Sequence, residues 1–281
     1  MSNTLVLNSS NVIGSGNSIF QYTFLGGSYQ VKEGSEVSVS QIQIPYSFFN
    51  ITQAYNNQSF QIGWTVGSTT TLYTVDITAG FYTIDDLNLY LQQYFIDTGM
   101  YLVDDSGENV YYMSFYQNTT YYANQVLFYT VPISSTVPNT WTIPSNFLGF
   151  PTVATCPTLV ILSTNTFTNL IGLTAGTYGG TTSDNDVLSN FTPIGSTVNS
   201  LVVRCSICDN AIAFPTDILD SFSIPVGTSF GSNINYTPNF QKWIKVKSGK
   251  YNNFTVSFYD QNLTPIVALD NQVLITLLLK S

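Results

Sequence analysis

The chain has 281 residues, of which 44% are hydrophobic and 15% aromatic, so it can bury a sizeable core and is too apolar to remain disordered. It contains no His, which excludes Ser-His-Asp and Cys-His catalysis and zinc sites that use His ligands. The net charge is −9 with only seven Lys and Arg residues, whereas a nucleic-acid coat needs clustered basic side chains. Specific nucleic-acid binding is therefore not expected.

Charged residues make up only 8% of the chain, against about 25% in an average globular domain. The polar surface must therefore consist mainly of Asn, Gln, Ser, Thr and Tyr. These groups cost less free energy to bury against a partner than ions do. Such a composition is typical of a protein that neighbours largely cover, and it also suits a sugar-binding β-sandwich.

The N-terminal residues lack a basic region and a long apolar run, which predicts that they are not a signal peptide. No apolar run in the chain approaches the roughly 18 residues of a membrane span, so no membrane insertion is expected. Residues 1–16 are rich in Ser, Asn and Gly, and this composition favours a flexible N-terminal arm that orders on assembly.

Twelve runs rich in Val, Ile, Thr, Tyr and Phe predict β-strands, and clusters of Gly, Pro, Asn and Ser separate them. Many short strands with turn signals between them predict an all-β sandwich or barrel. No linker divides the chain, so the expectation is one domain over 1–281. The predicted strands are 18–24, 36–44, 59–66, 70–76, 109–117, 124–131, 158–163, 199–208, 218–226, 241–247, 253–259 and 272–280.

The run over 36–44 changes its apolar parity part-way along. Val37 and Val39 are odd-numbered, whereas Ile42 and Ile44 are even-numbered. Successive side chains of a strand point to opposite faces, so a β-bulge near Ser40 would keep all four on one face. A strand buried on both faces would explain the pattern equally well.

One stretch, GFYTIDDLNLYLQQYF, has the period of a helix rather than a strand. Thr83 can cap a helix, Asp86 stands three residues later as in a capping box, and Gly99 lies just past the end. This predicts one amphipathic helix over about 83–96. Its apolar face consists of Ile84, Leu87, Leu91 and Tyr94 or Phe95.

The chain has three cysteines, Cys156, Cys205 and Cys208, and this odd number predicts no disulfide framework. The CSIC sequence could be a redox pair or half of a zinc site. It lies in the strand-like run LVVRCSIC, where residues three apart point to opposite faces. Buried structural cysteines are therefore favoured, and no cofactor or metal is expected.

The acidic loop DDSGEN contains Asp104, Asp105 and Glu108. It could bind a cation, but it does not match the twelve-residue calcium loop, so a turn is the simpler interpretation. A paired-carboxylate glycosidase would need a carboxylate separation that sequence does not provide, and no motif indicates one. The chain is therefore expected not to be an enzyme.

The segment KWIKVKSGK holds four of the seven basic residues. Strand alternation places Trp243, Lys245 and Lys247 on one face. This face is either solvated or a contact patch for an acidic neighbour, subunit or genome. The aromatic side chain favours contact, because interfaces are enriched in Trp. The candidate assembly-contact residues are Lys242, Trp243, Lys245, Lys247 and Lys250.

Several segments together resemble the minor capsid (penton) proteins of virophages, Polintons and related double-stranded DNA viruses. The first is GFYTIDDLN, a helix start that follows a strand. LGF at Leu148–Phe150 comes about fifty residues later. ILDSFSIPV and FYDQNLTPI then lead into the apolar final strand over 272–280. The resemblance covers most of residues 36–281.

This resemblance implies a single jelly-roll β-sandwich with strands inserted within about 67–198. It also implies a structural virion protein, a penton subunit made in the host cytoplasm. Five copies would form a homopentamer at the fivefold vertices of an icosahedral capsid. They would contact trimers of a double-jelly-roll major capsid protein.

A different class of function stays open on the residues alone. A lectin-like or adhesin β-sandwich would use exposed Tyr and Trp side chains to stack on sugars or on a receptor.

Overall fold

The computed structural model describes residues 2–195, 198–225 and 227–280. The chain divides into two compact units. The terminal unit consists of Met1–Phe49 and Thr197–Ser281, and the inserted unit is Asn50–Ser196. The inserted unit thus begins before the lower limit of about 67 that the sequence indicates for an insertion.

Within the described residues the strands and α-helices follow one another in this order: β1 (Ser2–Asn8), β2 (Ile19–Thr23), β3 (Tyr29–Val31), β4 (Glu36–Pro45), β5 (Ser59–Val66), β6 (Thr69–Asp76), α1 (Ile84–Thr98), β7 (Tyr101–Val103), β8 (Asn109–Tyr111), β9 (Met113–Asn118), β10 (Ala123–Phe128), β11 (Thr158–Ile161), α2 (Phe167–Ile171), β12 (Gly176–Gly179), β13 (Asn185–Leu188), β14 (Ser200–Cys205), β15 (Ile218–Ser223), β16 (Asn233–Tyr236), β17 (Ile244–Lys245), β18 (Gly249–Tyr251), β19 (Asn253–Asp260) and β20 (Leu274–Lys280). None of the described helices is long and apolar enough to cross a membrane.

The terminal unit is a jelly roll built from two antiparallel sheets, one of five strands and one of four. One sheet has the order β1-β20-β4-β16, and the other has the order β15-β14-β19-β2. Inward-facing residues of both sheets form one hydrophobic core. The strand order in the two sheets, with connections that cross from one sheet to the other, is that of a jelly roll. The predicted fold class is therefore confirmed. The short strand β17 also pairs with β4, while β3 and β18 form a separate ribbon.

The first strand corrects the expectation of a flexible arm over residues 1–16. Ser2–Asn8 form β1, which pairs antiparallel with β20 from Ser2↔Lys280 to Asn8↔Leu274. Leu5 and Leu7 are buried in the core. The apolar residues at alternate positions therefore hold this segment in the sheet despite the polar residues around them.

The parity change in β4 is a β-bulge at Ser40. Thr276 of β20 pairs with Gln41, and the next residue, Leu277, pairs with Val39, which leaves Ser40 unpaired. Val37, Val39, Ile42 and Ile44 are all buried in the same core. The bulge interpretation is confirmed, because the extra residue restores all four side chains to one face.

A buried carboxylate organises the turn after β19. Asp260 is 1% exposed, and its Oδ1 accepts hydrogen bonds from the backbone N–H groups of Asn262 and Thr264, both at 2.8 Å. The Asp and the Pro-Ile pair of the FYDQNLTPI segment thus shape the connection between two core strands. This gives the motif a structural reason rather than a catalytic one.

The inserted unit has its own hydrophobic core. A four-stranded sheet with the order β12-β11-β5-β6 and a three-stranded sheet with the order β13-β10-β9 form its strands, together with the β7–β8 hairpin. The five-residue helix α2, which the sequence analysis did not predict, buries Phe167, Leu170 and Ile171. A helix this short carries too little periodic signal to be found by pattern.

The predicted amphipathic helix is confirmed as α1. Thr83 and Asp86 form a capping box, and Leu87, Leu91 and Phe95 are its buried residues. Gly99 ends the helix at φ 73°, where a Cβ would lie 1.9 Å from the Asn146 carbonyl oxygen. Only glycine fits at this approach.

The LGF segment is fixed beside the end of α1. The Leu148 N–H donates to the Gly99 carbonyl at 3.1 Å, and the Trp64 indole N–H donates to the Gly149 carbonyl at 3.3 Å. The segment therefore ties the helix end to β5 inside the inserted unit.

Loss of the α1 cap should destabilise the inserted unit in a pH-dependent way. The Thr83 hydroxyl and backbone N–H both donate to Asp86, and these bonds hold the pKa of Asp86 below its usual 3.8. A lowered pKa means that the stabilisation is present above pH 3.8 and is lost as the pH falls through the folded-state pKa. Asp86→Asn should therefore lower the stability at neutral pH, and its difference from the parent chain should shrink below pH 3.8. Urea unfolding of both chains across this pH range measures the difference in their free energies of unfolding. A difference independent of pH would contradict the role of the Asp86 carboxylate in the cap.

Asp260→Ala should destabilise the terminal unit by about 1–3 kcal/mol, because two backbone N–H groups lose their acceptor beside the core. Asp270→Ala is the matched control, since the Asp270 carboxylate accepts one N–H bond, from Gln272, at an exposed turn. Its cost should be about 1 kcal/mol or less. Equal shifts of the urea midpoint for the two variants would show that the Asp260 turn has no special importance.

Candidate assembly surface

Three connections of the jelly roll meet at one end of the terminal unit. The Val246 N–H donates to the Ser35 carbonyl and the Lys247 N–H to the Ile207 carbonyl, both at 2.9 Å. These bonds join the β2–β4, β14–β15 and β16–β19 connections. We call this surface, formed by residues 24–36, 206–217 and 237–252, the lysine-rich end. All basic residues of the chain lie in it or on the strand ends that enter it: Lys32, Arg204, Lys242, Lys245, Lys247, Lys250 and Lys280.

Charge is divided unequally between the two units. The inserted unit has no Lys or Arg, whereas the terminal unit has seven basic and seven acidic residues. The net charge of −9 therefore belongs entirely to residues 50–196. The net charge of the whole chain does not show that the terminal unit is neutral and the inserted unit acidic.

Lys242 is exposed and has an ion-pair partner inside the terminal unit. Its Nζ lies 2.7 Å from Oδ1 of Asp220, whose side chain is 3% exposed. The Tyr236 hydroxyl donates to the other carboxylate oxygen at 2.8 Å. Burial and this bond raise the pKa of Tyr236. Because β15 and β16 belong to different sheets, the three side chains link the two layers of the sandwich.

Trp243 also has a partner within the chain. Lys280 Nζ lies 5.4 Å from the centroid of the Trp243 ring and 3.2 Å from Glu36 Oε2. The half-buried ring thus covers the end of β20 through a cation–π contact. As a contact residue, Trp243 can offer a partner only its remaining exposed part.

Besides Lys242, the predicted patch has three further exposed lysines, Lys245, Lys247 and Lys250. None of them forms an ion pair with any residue that the structure describes. Their backbone is nevertheless fixed, since the Lys245 carbonyl accepts the Asp209 N–H at 2.8 Å and the Lys247 carbonyl accepts the Tyr251 hydroxyl at 2.9 Å. The ordered backbone therefore presents three cations on one surface.

Large apolar side chains protrude from the same end. Their exposed fractions are 102% for Leu25, 99% for Ile212, 93% for Phe214 and 70% for Phe240. Single exposed apolar residues are common, but four of them on connections that share one end of a sandwich are typical of a surface that a partner covers. The sequence analysis missed these residues because they lie on connections between strands, where no hydrophobic period singles them out.

The two cysteines of CSIC lie closer together than the strand pattern predicts. β14 ends at Cys205, and a turn closed by the Cys208 N–H and the Cys205 carbonyl at 2.9 Å follows. Both thiols are buried, and their mutual hydrogen bond raises the pKa of Cys208. The opposite-face expectation was wrong because the strand stops one turn earlier. The described residues contain no group of three metal-ligating side chains.

The DDSGEN loop is the turn of the β7–β8 hairpin. Oδ1 of Asp104 accepts hydrogen bonds from the Ser106 N–H and hydroxyl and from the Glu108 N–H, at 2.6 to 2.9 Å. These bonds hold the pKa of Asp104 below its usual value. Asp105 and Glu108 are exposed. The arrangement supports the turn interpretation, since Asp104 already uses one carboxylate oxygen to close the loop.

Comparisons with known proteins give low-identity structural similarities. The chain is similar to the selenomethionine-labelled mavirus penton protein, with 10% identity and a TM-score of 0.47 over 100% of this chain and 98% of that one. It is also similar to a chain of the Sputnik virophage structure determined by cryo-EM, with 11% identity and a TM-score of 0.39 over 99% and 97%. No family model and no curated protein matches it. TM-scores below 0.5 do not by themselves indicate a shared function.

Lys242→Met should lower the free energy of unfolding by about 1–3 kcal/mol, because it leaves the buried Asp220 carboxylate without its cation. Lys245→Met is the control, since Lys245 is exposed and has no described ion pair. Its effect should stay within about 0.5 kcal/mol. Chemical denaturation of both variants tests the assignment, and equal stabilities would mean that Lys242 belongs to the solvated patch after all.

Proposed function

We propose that this chain is a structural virion protein, a penton subunit that forms homopentamers at the fivefold vertices of an icosahedral capsid. The observation that carries the proposal is the jelly roll of the terminal unit, whose β4–β14 connection is expanded into a compact inserted unit. The sequence segments that resemble penton proteins have structural positions in this architecture. They cap α1, fix its end and shape the turn before the last strand.

The lysine-rich end is the surface that we assign to contacts with neighbouring capsid proteins, including trimers of a double-jelly-roll major capsid protein. Its protruding apolar side chains would gain free energy by burial, at about 25 cal/mol per Å² of apolar surface. Lys245, Lys247 and Lys250 would select an acidic neighbour and would set the orientation of docking. Lys242 and Trp243, by contrast, would stabilise the lysine-rich end through their contacts with Asp220 and Lys280.

Three of the carboxylates that a catalytic site would need have structural partners. Asp104 closes a hairpin, Asp184 accepts from the Thr130 N–H at 2.7 Å, and Asp220 is paired with Lys242. A shell protein acts through shape and interface complementarity, and these contacts serve that purpose. We therefore propose a role in the virion without an enzymatic activity.

A discrete pentamer of about five times 31.0 kDa is the expected species in light scattering. Each copy brings its full −9 charge on the inserted unit, so repulsion between copies should oppose assembly. Higher salt, divalent cations or mildly acid pH should therefore shift the equilibrium towards the pentamer. Light scattering at about 0.05 M and about 0.5 M salt compares the populations. A pentamer that tightens at low salt would contradict the charge argument, and a chain that stays monomeric or trimeric even with its capsid neighbours present would contradict the proposal.

A further inference from the structure

A cleft of about 420 Å³ lies in the inserted unit. This volume is within the range of roughly 300–1,000 Å³ that is usual for small-molecule sites. The cleft is built from the start of α1, the neighbouring ends of β9 and β10, and the segment around Pro193. The assembly surface does not include any of these elements.

One buried amide holds two walls of the cleft together. The Asn50 side chain is 1% exposed and donates from Nδ2 to the Tyr82 carbonyl at 2.7 Å and to the Gly195 carbonyl at 2.8 Å. Its Oδ1 accepts the Tyr82 N–H at 2.8 Å. Three short bonds from one residue make this cleft a preformed feature rather than a gap between mobile loops.

Aromatic rings line the cleft at Phe81, Tyr82 and Tyr122. Tyr122 is 78% exposed and has φ 51°, a conformation that is uncommon for a bulky residue. An exposed ring held in this backbone conformation offers a flat apolar face beside the cleft. Such faces pack against the C–H groups of a sugar ring, which is apolar on its faces and polar at its edge.

Three polar side chains that can hydrogen-bond to hydroxyl groups lie beside the rings. Gln117, Asn124 and Asp85 line the same cleft. The Asn124 amide nitrogen donates to the Leu170 carbonyl at 3.3 Å, which fixes its orientation. Amides both donate and accept, and a carboxylate accepts, so the three side chains can satisfy the mixed hydrogen-bonding pattern of neighbouring hydroxyl groups.

The charge of the unit restricts the ligand further. Residues 50–196 contain no Lys or Arg, and Asp85 itself lines the cleft. Phosphates, sulfates and acidic sugars would meet a negative field without a cation to pair them. We propose that this cleft binds a neutral carbohydrate, with Tyr122 as the stacking platform and with Gln117, Asn124 and Asp85 as the hydrogen-bonding groups.

This proposal goes beyond the structural role in the capsid and does not depend on it. The test applies the full chain to an array of neutral, sialylated and sulfated glycans, and then titrates the strongest neutral glycan by calorimetry. Neutral glycans should bind, and sialylated or sulfated ones should bind at least tenfold more weakly. Selective binding of acidic glycans would overturn the proposal, as would the absence of binding to every neutral glycan at millimolar concentration.

Two neighbouring tyrosines give a matched pair of variants. Tyr122→Asn removes the stacking ring but keeps a residue that tolerates positive φ, and it should weaken the neutral glycan at least tenfold. Tyr121→Asn is the control, because Tyr121 is 69% exposed but does not line the cleft. It should leave the affinity unchanged, and both variants should melt like the parent chain. Equal affinities for the parent and Tyr122→Asn would place any observed sugar binding elsewhere.

Discussion

The pairing of β4 with β20 is the interaction on which the terminal unit depends. β20 lies between β1 and β4 in the first sheet, so it joins the N-terminal strand to the strand that leads into the inserted unit. The pairing works only because the bulge at Ser40 returns Ile42 and Ile44 to the face of Val37 and Val39. Without that extra residue, half of the strand would turn its apolar side chains away from the core.

The separation of charge follows from this architecture. Because the inserted unit lies between β4 and β14 in the chain, its composition can differ from that of the jelly roll. The jelly roll balances its charges and uses three basic residues in ion pairs, with Asp217, Asp220 and Glu36. The inserted unit carries only acidic charge, on a surface that also exposes hydroxyls, amides and several large apolar side chains. The proposed contacts with shell proteins and the proposed recognition of a neutral ligand would therefore involve different parts of one chain.

The motifs that suggest a penton protein act through geometry. Asp260 holds a turn, Thr83 and Asp86 cap a helix, and Gly99 permits the approach of the LGF segment. Each of them fixes where a strand or helix ends. Such residues fix the architecture, and none of the four lies on the lysine-rich end.

Local patterns in the sequence determined the all-β class, most strands, the capped helix and the two options for β4, because period, capping and turn chemistry are properties of neighbouring residues. Only the tertiary structure decided which residues meet across the chain. It pairs β1 with β20, pairs Lys242 with Asp220, and brings Cys208 beside Cys205. It also gathers Leu25, Ile212 and Phe240 at one end, and it forms the cleft around Asn50. These outcomes depend on strand order and loop closure between residues far apart in sequence, and no local period encodes them.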